Sequence, residues 1–429
     1  MLRKTVMLVL LMLCLMSIAF AEEDFPDIQD EAGQAAWRED LQYLMEKLPK
    51  VHPNLYWRTP EADFKKLASE LDADIPNLTN DQIKVRLMQI VALVDGHTQI
   101  GIFQPAVNFQ MYGLRLYVFN EGIYVVDAQP QYKEAVGKKL IAVGGINTKL
   151  VYKQVSTVAQ YDNNNMLKLT TAFYMVVPEV LNALGIIADI NQPEYVVEDS
   201  SGKRLTFRPK PLSLDEYLKW GNGYFITLPP NPDVLYLQHQ YDEAFWFTYL
   251  ADSKTLYIQY NEAIRATASG KTMQQFADEI EAFVKTKPID RTIVDVRHNT
   301  GGDNRLYSPL LRLLQENETL NRPDKLYVII GRMTLSAAVN FATELEESLH
   351  PIFVGEATGA PPNLYADARP LILPHSKIQV DVSSHHIQKS TANDTRLAIM
   401  PSIPVTLSST DYFSGRDPSL ETILNNNIN

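Results

Sequence analysis

The stretch LYVIIGRMTLSAAVNFATELEESLHPIFVGEATG, residues 326–359, constrains this chain most. The apolar, β-branched run Leu326–Ile330 predicts a strand, and Gly331-Arg332-Met333-Thr334 a polar turn after it. From Ser336 onward, Ala338, Phe341, Ala342, Leu345 and Leu349 recur at helical spacing. A second short run, Ile352–Val354, ends at Gly355, and Thr358-Gly359 makes another turn. A serine between a strand and a helix has two readings. It is a good N-cap, because its hydroxyl can accept a hydrogen bond from a helix N–H group. It is also how several hydrolases present a nucleophile, since the unpaired N–H groups and dipole of a helix N-terminus favour an oxyanion. The GxSxG elbow of α/β-hydrolases is absent, so that motif does not choose between them.

A second stretch, TIVDVRHNTGGDN at residues 292–304, runs from a strand, Thr292–Val296, into paired glycines, Gly301-Gly302. Such glycines let the backbone approach a ligand closely and aim N–H groups at it. Together the two stretches resemble the S41 serine peptidases, the family of C-terminal processing peptidases and tricorn-type proteases. The resemblance is carried by Asp295, Arg297, Asn299, Gly301 and Gly302, then Thr334, Ser336 and Ala337, then Gly355, Glu356, Thr358 and Gly359, in that order. It covers the chain from about Val51 to the end. It implies an α/β fold with a ClpP/crotonase-like layered catalytic core, expected here over residues 213–429.

At 429 residues the chain is too long for one ordinary core. Apolar periodicity predicts helices over Ala35–Leu48, Pro60–Leu71 and Gln82–Val94, the last capped by Asn80, and so an N-terminal helical domain over residues 22–104. Residues 105–212 read differently, with short strands at Leu114–Val118, Ile123–Val126 and Leu140–Val143. The run from Gly137 to Ile146 resembles the glycine-bounded hallmark of PDZ domains, which implies a PDZ-like β-rich module. A long apolar helix is expected over Leu167–Leu184 and a hairpin from Tyr195–Glu198 to Leu205–Arg208. Asp215–Leu250 reads as loop-rich, strands alternate with helices from Thr255 on, and a terminal helix closes the chain.

Arg3 and Lys4, the apolar run Val6–Phe20 and Ala19-Phe20-Ala21 predict a signal peptide over residues 1–21, with an uncleaved anchor as the alternative. Export follows, to the cell envelope or beyond, with membrane association only if the signal is kept. The one cysteine, Cys14, lies inside that signal, so neither disulfides nor cysteine chemistry is expected of the mature chain. A formal charge of −12 and the lack of a basic run argue against nucleic acid as a partner.

A serine hydroxyl attacks a peptide only with help from a base. The C-terminal processing branch of the S41 family uses a lysine after the Gly-Glu-x-Thr-Gly turn, where this chain has Ala360-Pro361-Pro362-Asn363. The next lysine is Lys377, which no pattern picks out. Val339 likewise replaces the glutamate usual in that branch. The tricorn-like branch uses a histidine, and Asp95-Gly96-His97-Thr98 resembles its segment, which implies His97 as base to the Ser336 nucleophile. The resemblance also implies an acidic residue, with Asp394 the better-placed candidate and Glu356 the alternative. Asp95 fits a helix-end turn, and Gly96 has no side chain with which to orient an imidazole. The oxyanion hole would use N–H groups of Ala337 and of Gly301 or Gly302, with Arg297 and Asp295 bracing the loop.

The function expected is that of an exported serine endopeptidase acting on peptides or unfolded protein segments, without a cofactor. A catalytically silent peptide-binding scaffold is the alternative. A CoA-using relative of the same core lacks any phosphate-binding signal, and adjacent His385-His386 lacks metal-ligand spacing. Oligomeric state is left open.

Overall fold

A computed structural model describes residues 31–221, 228–239 and 243–425. The expected signal peptide, with Cys14, lies outside the described residues. Among those residues no helix is long and apolar enough to cross a membrane.

Three helices open the chain: α1 (Glu31–Val51), α2 (Glu61–Asp74) and α3 (Asn80–Val91). The cap of α3 is Thr79, not Asn80. Gln82 donates its N–H to the Thr79 hydroxyl, and the Gln82 side chain accepts the Thr79 N–H in return. Asn80 instead accepts from the Trp37 indole at 2.9 Å. This ties α3 to α1.

An antiparallel sheet follows, formed by β1 (Leu114–Phe119), β2 (Gly122–Ala128), β3 (Lys139–Val143), β4 (Tyr195–Glu198) and β5 (Arg204–Phe207) in that spatial order. Helices α4 (Thr148–Val155) and α5 (Asn164–Tyr174) lie between β3 and β4 in sequence. The single helix expected over Leu167–Leu184 is broken. Pro178 offers no N–H and holds Val177 extended (φ −99°, ψ 109°), so α5 stops and a new short helix begins at Pro178. The helical segment and this sheet share one apolar core, in which Trp37, Phe64 and Leu87 meet Tyr112, Val125 and Tyr195. Leu371 and Val380, from a hairpin late in the chain, join the same core.

The second half builds a six-stranded sheet from β6 (Phe245–Leu250), β7 (Thr255–Tyr260), β8 (Arg291–Asp295), β9 (Leu326–Ile330), β10 (Ile352–Gly355) and β11 (Ile403–Pro404). Its order is β11-β10-β9-β8-β7-β6, parallel except for the antiparallel edge β6. Helices α6 (Met273–Val284), α7 (Ser308–Glu316) and α8 (Ala337–Leu349) connect the parallel strands. Alternation along the strands divides the core. Leu256, Ile258, Val294 and Val328 face the helices with Phe276 and Phe341, while Tyr257, Ile293, Tyr327 and Val354 face Ile423 on the other side. Burial on both faces explains why these strands read as continuous apolar runs. The segment expected to be loop-rich contributes the edge strand β6 and a helix over Leu214–Gly221. The terminal helix is two short ones, Ser409–Phe413 and Pro418–Asn425. The result is an α/β layered core, as expected, and the loops after β8 and β9 emerge together at the strands' carboxyl ends.

Candidate active site

Ser336 sits at the sharp turn from β9 into α8 with φ 48° and ψ −123°. A non-glycine residue held there costs on the order of 1–3 kcal/mol and persists only when its surroundings over-determine it. Ser336 stands in the N-cap position, yet its side chain makes no capping hydrogen bond. The ordinary capping role is therefore not what this hydroxyl does. It is half-buried, with no hydrogen-bond partner among the described residues.

The surroundings supply the constraint. The Thr334 hydroxyl accepts the Gly331 N–H and donates to the Val296 carbonyl, both at 3.0 Å. Leu335 N–H donates to the Asn299 carbonyl at 3.1 Å. The buried Asn299 side chain donates to the Tyr260 carbonyl at 3.0 Å and accepts the Gly301 N–H at 2.9 Å. One turn after β9 and one loop after β8 are thus locked together through Asn299. Asp295 and Asp417 clasp Arg297 from both sides, at 2.8 Å each, which makes Arg297 a brace beneath this loop.

Gly301 and Gly302 adopt φ 108° and 128°, and both are crowded. A Cβ at Gly301 would lie 2.6 Å from Ser336 Cβ, and one at Gly302 2.3 Å from the Ala263 carbonyl oxygen. Only glycine fits either place. The Gly301 N–H is taken by Asn299. Neither Gly302 nor Ala337 donates its N–H to any acceptor among the described residues. Of the three expected donors, Gly302 and Ala337 thus have N–H groups without an acceptor among the described residues, whereas the Gly301 N–H is spent on Asn299.

His97 follows the end of α3. Its N–H donates to Asp95 at 2.8 Å, and its Nδ1 is buried without a partner among the described residues. Asp95, fully buried, also accepts from Thr98 N–H, from the Ser383 hydroxyl and from His52 Nε2 at 2.8 Å. Burial alone would raise its carboxyl; the His52 hydrogen bond and the His97 and His52 charges more than offset that and hold it below the usual range. The corner carrying His97 is joined to the serine turn by the first turn of α5 and the residues just before it. Asp162 accepts the Gly96 N–H at 2.9 Å, and Asn163 and Asn165 donate to the Thr358 and Ala357 carbonyls. Gly359 N–H in turn donates to the Thr334 carbonyl at 3.2 Å. No hydrogen bond joins His97 to Ser336 among the described residues.

Both expected carboxylates are held by arginines. Asp394 accepts from Arg396, which pulls it down to about 2, and Arg396 also grips Glu346 of α8. Glu356 forms a bidentate pair with the buried Arg332, which also donates to the Val118 carbonyl of β1. Neither carboxylate hydrogen-bonds His97. Lys377 donates to the Pro374 carbonyl in an exposed turn. His298 is half-buried with its Nδ1 enclosed, and desolvation and Arg297 push it down to about 3. Two carboxyls went unnoticed in the sequence. Burial, then the Asp95 charge, push Asp162 up to about 6, and burial pushes Glu262 up to about 7, beside the Ala263–Gly302 bridge. No motif marks either, because only the fold buries them. Among the described residues no cluster of side chains could hold a metal ion.

No family model and no curated protein matches the sequence. Solved structures do. Mature CPAF superimposes with a TM-score of 0.65 at 12% identity, over 92% of this chain and 99% of that one. Mature CPAF complexed with lactacystin gives 0.63 at 12% identity, over 91% and 97%. The photosystem II D1 C-terminal processing protease gives 0.43 at 14% identity, over 91% and 96%. The chain has the fold of the S41 peptidases.

Proposed function

We propose that this chain is a serine peptidase, exported by its N-terminal signal, that cleaves peptides or unfolded protein segments. The observation that carries the reading is the strained, uncapped Ser336, pressed against Gly301 in a turn where the Gly302 and Ala337 N–H groups have no acceptor among the described residues. Ser336 Oγ attacks the scissile carbonyl carbon while His97 takes its proton. The carbonyl oxygen becomes an oxyanion held by the two N–H groups; each such donor is worth about two to three orders of magnitude in rate. The C–N bond then breaks, and His97 returns the proton to the leaving amine. Water, deprotonated by His97, releases the acyl group.

The test is labelling of the mature protein with a fluorophosphonate probe. The parent should label, and Ser336→Ala and His97→Ala should not. Labelling of Ser336→Ala at the parent's level would overturn the nucleophile. Lactacystin, bound in one CPAF structure, is a first small molecule to compete against the probe. A catalytically silent scaffold is favoured by one observation, the missing Ser336–His97 hydrogen bond, and a parent that never labels would favour it.

A further inference from the structure

We propose that Asp162 is the positioning residue of His97: in the working enzyme its free carboxylate oxygen turns to accept the imidazole Nδ1–H, a bond the structure leaves unmade, and so leaves Nε2 as the base toward Ser336. This rests on the serine–histidine reading above and supplies the carboxylate that Asp394 and Glu356 do not.

Two orphaned atoms carry the inference. Asp162 is 2% exposed, and its Oδ2 is buried with no partner among the described residues. His97 Nδ1 is in the same condition. Buried polar atoms without partners are uncommon, and each calls for an explanation. Here one is an acceptor and the other can be a donor, and their residues belong to one corner. Asp162 Oδ1 accepts the N–H of Gly96, the residue immediately before His97, at 2.9 Å. That bond fixes the carboxylate beside the histidine while leaving Oδ2 unspent.

Gly96 acquires a reason in the same geometry. A Cβ there would stand 2.7 Å from Asp162 Oδ2 and 2.6 Å from the Met166 sulfur. Any side chain would displace the carboxylate from the corner. The charged groups around Asp162 are Asp95 and His97 from the corner and Arg58, whose guanidinium lies over the Tyr161 ring and donates to the Ala92 carbonyl. Asp95 cannot take the role, because its own oxygens already serve His52, Ser383 and two backbone N–H groups. An imidazolium at His97 would add to the Arg58 charge in favouring the Asp162 carboxylate, against the burial and the neighbouring Asp95 that push its carboxyl up to about 6.

The test compares the full mature chain with Asp162→Asn and Asp162→Glu. Asparagine keeps an oxygen for the Gly96 N–H, so the corner should still fold. Fluorophosphonate labelling of Ser336 is followed against pH, and the His97 tautomer by nitrogen NMR of histidine-labelled protein, assigned through His97→Ala. Asp162→Asn should slow labelling on the order of ten-thousandfold, as loss of a histidine-orienting carboxylate does elsewhere. It should also move the pH midpoint of labelling, and turn a single Nδ1–H tautomer into a mixture. Asp162→Glu should recover part of the rate. Labelling of Asp162→Asn at the parent's rate and midpoint would overturn the proposal. If the parent does not label, or Ser336→Ala still does, the serine–histidine reading fails separately. The tautomer then decides Asp162 alone: lost Nδ1–H in Asp162→Asn supports the contact, and an unchanged signal rejects it.

Discussion

Gly301 is pressed against Ser336: the place where its Cβ would stand is 2.6 Å from Ser336 Cβ and 3.0 Å from the Ala337 nitrogen. The glycine loop and the serine turn are therefore one rigid unit. Gly301→Ala has no soft neighbour to displace, and φ 108° strains the alanine as well. It should reduce probe labelling at least a hundredfold and lower stability by about 1–3 kcal/mol, read from urea unfolding. Normal labelling would mean that the two loops move independently.

The backbone at Ser336 stores strain that glycine would relieve. Ser336→Gly should raise unfolding free energy by about 0.5–1 kcal/mol, whereas Ser336→Ala, at the same φ of 48°, should not. Both should abolish labelling. Equal stability of the two variants would count against strain at the site.

Arg332 stands between the halves of the molecule, paired with Glu356 in the core and donating to the Val118 carbonyl of β1. Arg332→Met leaves Glu356 with no ionic partner in a largely buried place. Loss of about 3–5 kcal/mol is expected in urea unfolding. Arg332→Met combined with Glu356→Gln should recover part of it. A loss below about 1 kcal/mol would show the pair to be solvent-screened.

Asp162 makes stability depend on pH in an uncommon direction. Its folded carboxyl is pushed up to about 6, against an unfolded value of about 3.9. The native state binds the extra proton between those values, so this group's contribution falls as pH rises from about 4 to 6 and stays lost above. Asp162→Asn should therefore flatten that slope and stabilise the protein at neutral pH by roughly 1–3 kcal/mol while impairing labelling. A parent whose stability is level through that window would contradict it.

Asp95 runs the other way. Its carboxyl is held below the usual range, so its contribution is present above about pH 4 and lost as the pH falls through the folded value. His52→Ala removes its Nε2 partner and should lower stability at neutral pH by about 2–4 kcal/mol. The same variant should slow labelling, since Asp95 anchors the His97 backbone. Unchanged stability would mean that water replaces the imidazole.

The order of strands and helices after Thr255, the Ser336 turn and the two glycines were all legible in the residues, because strand alternation, helical spacing and Gly-Gly act within a few positions. Helix ends were less so: Thr79 rather than Asn80 caps α3, and Pro178 overrides the apolar run from Leu167 to Leu184. What no local pattern contains is who meets whom across the fold. That Asn299 takes the Gly301 N–H, that Arg396 holds Asp394, and that Asp162 comes to rest beside Gly96 follow from packing distant segments together. Burial then sets the charges: Asp162 and Asp95 are the same residue type, and only their partners make one carboxyl hard to ionise and the other easy.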